Sequence, residues 1–128
     1  HYNGLSNREE FTLDNEHEAR VMEKALLKVK YWITFNELWC SSIVGYSIGQ
    51  FAHGRTSNCE SNDVCDSITE PWIVGYNLIV AYGRVVKVYC EEFKLTNGGE
   101  IAIVFNGDAR FPWNRTDCLD VEVANRKI

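Results

Sequence analysis

Three things are scarce in this sequence: basic clusters, long apolar runs and any leader. Its 13 Lys and Arg are outnumbered by 18 Asp and Glu, for a formal net charge of -5. Phosphate binding needs a clustered basic surface, so nucleic acid is excluded as the main partner. No apolar run approaches the ~20 residues that span a bilayer, so no membrane segment is expected. The chain opens on His1 with nothing like a signal peptide after it, which predicts a start inside a longer protein or after processing. No second Cys or His pair with zinc-like spacing is visible, so no metal site is expected. Internal repeats and low-complexity segments are absent too.

What remains is 128 residues, 45% hydrophobic and 24% charged, the profile of one soluble globular domain. Five cysteines leave at least one unpaired within the chain. Cys59 and Cys65 flank a short polar stretch. They either close a small disulfide loop, which implies an oxidising compartment, or stand as two free thiols in a surface loop. Asn114-Arg115-Thr116 is a glycosylation acceptor triplet, of a kind that also arises by chance. Both features lean towards secretion, with a cytoplasmic location as the alternative.

Apolar spacing predicts a helix over 14–29, with Ala19, Met22, Leu26 and Val29 on one face and Asp14 as N-cap. Residues 31–37 are aromatic and β-branched and read as a buried strand. Gly45, Gly49 and Gly54 punctuate the segment 41–68, whose second half, from His53 on, reads as a surface loop. Thr69 as cap and Pro71 in the first turn open a helix that runs to about residue 93. Its apolar stripe comprises Val74, Leu78, Ala81, Val85, Val88 and Tyr89, widened by Trp72, Ile73, Ile79 and Val80. Asn97-Gly98-Gly99 ends it, and residues 100–106 read as a second strand. Two apolar strands joined by a long helix make a parallel β-α-β unit. Two strands leave both edges unpaired, so the expected fold class is α/β, a slice of a larger parallel sheet or barrel.

Glu37 ends the first strand on its carboxyl side, where parallel α/β folds place their sites. Apolar neighbours Trp32, Phe35 and Trp39 are expected to desolvate its carboxyl and favour the protonated form, which can donate a proton to a leaving oxygen. Asn36 beside it can hydrogen-bond a hydroxyl. The plain alternative is that Glu37 caps the next segment or pairs with a surface arginine. Trp32, Phe35, Trp72 and Phe105 read as core, and Trp39 as the aromatic that binds. His1, His17 and His53 have no partner pattern and read as solvated or structural.

Tyr31-Trp32-Ile33-Thr34-Phe35-Asn36-Glu37 resembles the fourth-strand motif of family 1 glycoside hydrolases, Thr-Phe-Asn-Glu-Pro. Gly45-Tyr46-Ser47-Ile48-Gly49-Gln50-Phe51-Ala52-His53-Gly54-Arg55 resembles the loop after that strand, and Thr69-Glu70-Pro71-Trp72-Ile73-Val74-Gly75-Tyr76-Asn77 the start of the fourth helix. Residues 101–108 resemble the fifth strand, and Phe111-Pro112-Trp113 the segment after it. Several motifs in the family's order make the match specific. The resemblance implies a portion of a (β/α)8 TIM barrel, strands four and five with flanking helices, over residues 1–128 as a partial catalytic domain.

It also implies a retaining β-glucosidase acting on a β-glucoside or cello-oligosaccharide, with no cofactor and no metal. Glu37 matches the general acid/base, Asn36 the partner of the sugar's 2-hydroxyl, Trp39 and Val44 the aglycone side of the cleft, and Asn106 the asparagine ending the fifth strand. Asn106 next to Gly107 also reads as a plain turn residue. Three departures stand out. Leu38 replaces the family's proline, Tyr76 replaces a histidine, and the Thr-Glu-Asn-Gly motif that carries the nucleophile is absent. Retention needs two carboxyl groups about 5–5.5 Å apart, and a barrel needs roughly 250 residues, so the 128-residue chain is expected to be inactive alone. The remainder of the barrel, or a second copy, is expected to cover the sheet edges. The rival reading is a non-catalytic sugar-binding or assembly module derived from the same barrel.

Overall fold

Helix α1 (Arg8–Ala25) begins earlier than its apolar spacing suggests. The N-cap is Asn7, not Asp14: its Oδ1 accepts from the Glu10 N–H at 3.4 Å, and its Nδ2 donates to Glu10 Oε2 at 2.9 Å. Glu9 and Glu10 in the first turn complement the positive end of the helix. The helix stops at Ala25, so Leu26 and Val29 lie in the turn that follows, largely exposed. Its buried residues are Phe11, Thr12 and Glu23 rather than the expected stripe.

The computed structural model describes residues 4–58, 60, 66–107 and 110–126. After α1 come β1 (Tyr31–Asn36), a π-helical segment (Cys40–Ile48), α2 (Glu70–Val88), a second π-helical segment (Tyr89–Phe93), α3 (Lys94–Asn97), β2 (Glu100–Val104) and α4 (Cys118–Asn125). The region after Glu37 is therefore helical down to Ile48, which the glycine punctuation did not suggest. Thr69 makes no capping hydrogen bond. Asp66 takes that part instead, its Oδ1 accepting from the Ile68 and Thr69 N–H groups at 2.9 and 3.2 Å. Those bonds, the Thr69 side chain foremost, hold the Asp66 carboxyl below its ordinary range. Arg55 Nε donates to Glu70 Oε2 at 2.8 Å and pins the loop to the start of α2. Cys59 and Cys65 lie outside the described residues. Cys40, Cys90 and Cys118 are free thiols.

The strands pair in parallel, with Tyr31 opposite Glu100, Trp32 opposite Ile101, Ile33 opposite Ala102 and Asn36 opposite Val104. This is the expected β-α-β unit, and among the described residues the sheet has these two strands. Both end sooner than expected, because Glu37 leaves the extended region and the ladder stops at Val104. One core cluster joins Phe11, Leu38, Tyr46, Val74, Leu78 and Ala81, with Phe35 packed against it. A second joins Val88, Tyr89 and Phe93, with Trp32 and Ile101 against it. The stripe on α2 is narrower than expected: Trp72, Ile73 and Ile79 are exposed, and so is Phe105 beyond β2.

Two buried asparagines tie these layers together. Asn97 Nδ2 donates to the Leu27 and Val29 carbonyls at 3.2 and 2.7 Å, and its Oδ1 accepts from the Tyr89 hydroxyl at 3.3 Å. It thereby anchors the chain entering β1 to the chain entering β2. Gly98, in the left-handed region at φ 65°, ends α3. Asn77 Nδ2 donates to the Leu5 carbonyl at 2.8 Å, and its Oδ1 accepts from Arg8 Nε at 3.0 Å. The same guanidinium lies 4.7 Å over the Tyr76 ring, which gives Tyr76 a cation–π partner on the surface.

Candidate active site

Because β1 and β2 are parallel, their carboxyl ends lie side by side, and the residues leaving them meet. The Glu37 N–H donates to the Val104 carbonyl at 3.0 Å, one bond beyond the ladder. Glu37 then turns into the left-handed region, at φ 52°. Side chains other than glycine rarely take this conformation, which costs on the order of 1–3 kcal/mol and concentrates at functional sites. The Ser41 N–H donates to the Glu37 carbonyl at 3.2 Å, so the strand end feeds directly into the helical turn that follows. Leu38, where the family pattern has proline, is buried in the first core cluster and anchors that turn.

Cys40, three residues after Glu37, meets Asn106 across the two strand ends. Asn106 Nδ2 donates to Cys40 Sγ at 3.5 Å. Burial pushes the Cys40 thiol above its ordinary value, the neighbouring Glu37 carboxylate raises it further, and the Asn106 amide pulls it back. Asn106 Oδ1 is shielded from solvent and has no hydrogen-bond partner among the described residues.

The other expected site residues are placed less uniformly. Asn36 is exposed at the last ladder position, opposite Val104. Trp39 is 52% exposed and presents its indole surface to solvent. Val44 is buried, and its carbonyl accepts from the Gln50 and Phe51 N–H groups at 3.1 and 3.3 Å. Glu37 itself is exposed. The desolvation expected from Trp32 and Phe35 is not what they provide, since both pack into the core clusters, Phe35 with its ring 6.1 Å from that of Phe11. Cys40 was missed in the sequence. Its one signal was its place three residues after Glu37, a spacing that faces it only if the strand passes at once into a helix.

The family model described as glycosyl hydrolase family 1 matches residues 2–128. The chain belongs to glycosyl hydrolase family 1. A curated relative, β-glucosidase 1B of Phanerodontia chrysosporium, is 45% identical over 114 residues, covering 88% of this chain and 21% of the relative. The solved family 1 β-glucosidase of the fungus Humicola insolens, in complex with glucose, superposes with a TM-score of 0.89 at 54% identity, over 99% of this chain and 27% of that one. The Trichoderma harzianum β-glucosidase gives 0.80 at 58% identity, over 98% and 24%. The chain thus spans about a quarter of the length of these relatives. These family 1 enzymes are (β/α)8 barrels, and this glycosyl hydrolase chain is a portion of one. Its two parallel strands are neighbours in that barrel, and the open edges of the pair are where further strands belong.

Proposed function

We propose that this chain carries the acid/base portion of a retaining β-glucosidase, without the nucleophile. The observation that supports it most is that Glu37 and Asn106 leave the adjoining carboxyl ends of two parallel barrel strands, where the Glu37 N–H donates to the Val104 carbonyl at 3.0 Å and Asn106 Nδ2 donates to Cys40 Sγ at 3.5 Å. In this reading Glu37 protonates the departing glycosidic oxygen, then removes a proton from the attacking water. Asn36 holds the 2-hydroxyl of the sugar, Trp39 stacks on the aglycone, and Asn106 faces the same cleft. Val44 supports the aglycone side from beneath. The substrate is a β-glucoside or cello-oligosaccharide.

A second carboxyl group about 5–5.5 Å from Glu37 is needed to form the glycosyl-enzyme intermediate, and the Thr-Glu-Asn-Gly motif is absent here. The isolated chain is therefore expected to give no turnover of an aryl β-glucoside. Joined to a segment that supplies the second carboxylate, Glu37→Gln should lower hydrolysis of an alkyl β-glucoside, a poor leaving group, by about 10²–10⁴-fold. A nitrophenyl glucoside, which leaves with little protonation, should suffer far less. Equal losses on both substrates, or full turnover by the isolated chain, would overturn the reading.

An assembly role has support in the surface. Trp113, Phe111, Phe105 and Tyr31 are all exposed, and among the described residues no further strand covers the edges of the sheet. In this reading the remainder of the barrel, or a second copy, covers them. A strict monomer with a cooperative melt would count against the second copy.

A further inference from the structure

We infer that Asn114 is an acceptor for an N-linked oligosaccharide, presented on an exposed turn ahead of α4. The inference goes beyond the acid/base reading of Glu37 and is independent of it. Its sequence element is Asn114-Arg115-Thr116, the one Asn-x-Ser/Thr triplet in the chain. Such triplets also arise by chance, and the geometry around this one carries the inference. Asn114, Arg115 and Thr116 are all exposed, and Trp113 before them is 98% exposed. Asn114 Oδ1 accepts from the Thr116 N–H at 3.0 Å and from the Thr116 hydroxyl at 2.8 Å. A backbone N–H can only donate, so the atom facing it is the oxygen, and the amide orientation is decided. The nitrogen Nδ2, which takes the sugar, is therefore turned away from Thr116 and makes no hydrogen bond among the described residues.

The turn is built locally. The Asn114 carbonyl accepts from the Asp117 N–H at 3.2 Å, and the Asn114 N–H donates to Asp120 Oδ2 at 2.8 Å. Among the described residues, neither Asn114 nor Thr116 bonds to anything beyond Asp120. The segment can therefore open into a transferase without disturbing either core cluster. In the transfer, Nδ2 attacks the anomeric carbon of an oligosaccharide linked to a lipid diphosphate. A carbon–nitrogen bond forms, and the bond from the anomeric carbon to the diphosphate oxygen breaks. The lipid diphosphate leaves with that electron pair, and the nitrogen gives one proton to a base of the transferase. A bulky, solubilising group then stands on the surface beside Trp113.

The test reads occupancy at Asn114. The full chain is sent through a eukaryotic secretory host behind a cleavable leader, with a reference Asn-Gly-Thr triplet in a flexible Gly/Ser tail added after Ile128. Only molecules that carry the tail glycan are scored, so every one of them has met the transferase. Peptide N-glycosidase in heavy-oxygen water marks each occupied asparagine, and peptide-resolved mass spectrometry reads the mark. Asn114 should be occupied in most of these molecules. Occupancy should vanish in Asn114→Gln and Thr116→Ala and persist in part in Thr116→Ser, with the tail unchanged. Both positions are exposed and outside the core clusters, so the substitutions do not threaten folding. A bare Asn114 beside an occupied tail overturns the inference, and so does occupancy that survives Thr116→Ala. Urea melts supply a second arm. The chain glycosylated at Asn114 should melt at the midpoint of Asn114→Gln or above it. A lower midpoint would show that the folded turn has no room for the glycan, and would overturn the inference as well.

Discussion

Replacing Glu23 with methionine should stabilise this protein. Glu23 lies on the inner face of α1, 3% exposed, and its Oε2 has no hydrogen-bond partner among the described residues. The indole Nε1 of Trp32 is in the same condition. Both residues line one cavity of about 180 Å³ between α1 and the strands, walled by Met22, Phe35, Val85 and Ile101 among others. Burial raises the Glu23 carboxyl above its ordinary value, because the surroundings solvate the charged form poorly. The native state therefore binds the Glu23 proton more tightly than the unfolded chain does. Stability from this group is complete below the ordinary glutamate range and is lost as pH rises through the raised native value.

An unsatisfied buried polar group costs about 1–3 kcal/mol, and Met is close in length and pliable enough to fill an irregular gap. Glu23→Met should thus gain about 1–3 kcal/mol at pH 7. With a urea slope of about 1–3 kcal/mol/M, the midpoint should rise by roughly 0.5–1.5 M with no change in slope. At pH 4 more of the wild-type carboxyl is neutral, and the gain should be smaller than at pH 7. Urea melts of both proteins at the two pH values decide it. A variant less stable at pH 7, or a gain independent of pH, refutes the reasoning.

Two further substitutions probe what aligns the strand ends. Gly99→Ala places a Cβ against the Lys30 carbonyl, which accepts from the Glu100 N–H at 2.7 Å to open the parallel ladder. Because the obstacle is backbone, the start of β2 must move, and amide exchange at Glu100–Val104 should speed up by an order of magnitude or more, about 1.4 kcal/mol per tenfold. Asn97→Ala strips the Leu27 and Val29 carbonyls and the Tyr89 hydroxyl of their buried partner. It should cost about 1–3 kcal/mol by thermal or urea melts, and retained stability would show that water replaces the amide.

Much of the β-α-β frame was legible in the residues, for reasons that are local. β-branched and aromatic runs at Tyr31–Asn36 and Glu100–Val104, and the stripe from Val74 to Tyr89 at helical spacing, are patterns that each bury one face whatever the partner is. The start of α1 was not, because Asn7 and Asp14 are both adequate caps and the choice falls to Phe11, which must reach the core cluster. The exposed flank of α2 was misjudged for the same reason. Trp72 and Ile79 look as apolar as Val74, and what leaves them uncovered is the set of neighbours, which spacing does not encode.

The candidate site divides along the same line. The sequence by itself determined that a carboxylate and an amide end an apolar strand, and that the chain bears the marks of glycosyl hydrolase family 1, since composition and order along the chain are enough for both. Only the tertiary structure decided that Glu37 turns out through a left-handed backbone, that Trp32 and Phe35 pack away from it, and that Cys40 comes to rest against Asn106. Those facts depend on two strand ends 66 or more residues apart meeting in parallel register. Register is set by the pairing of whole strands and the packing of the helix between them, and no local stretch of sequence contains that information.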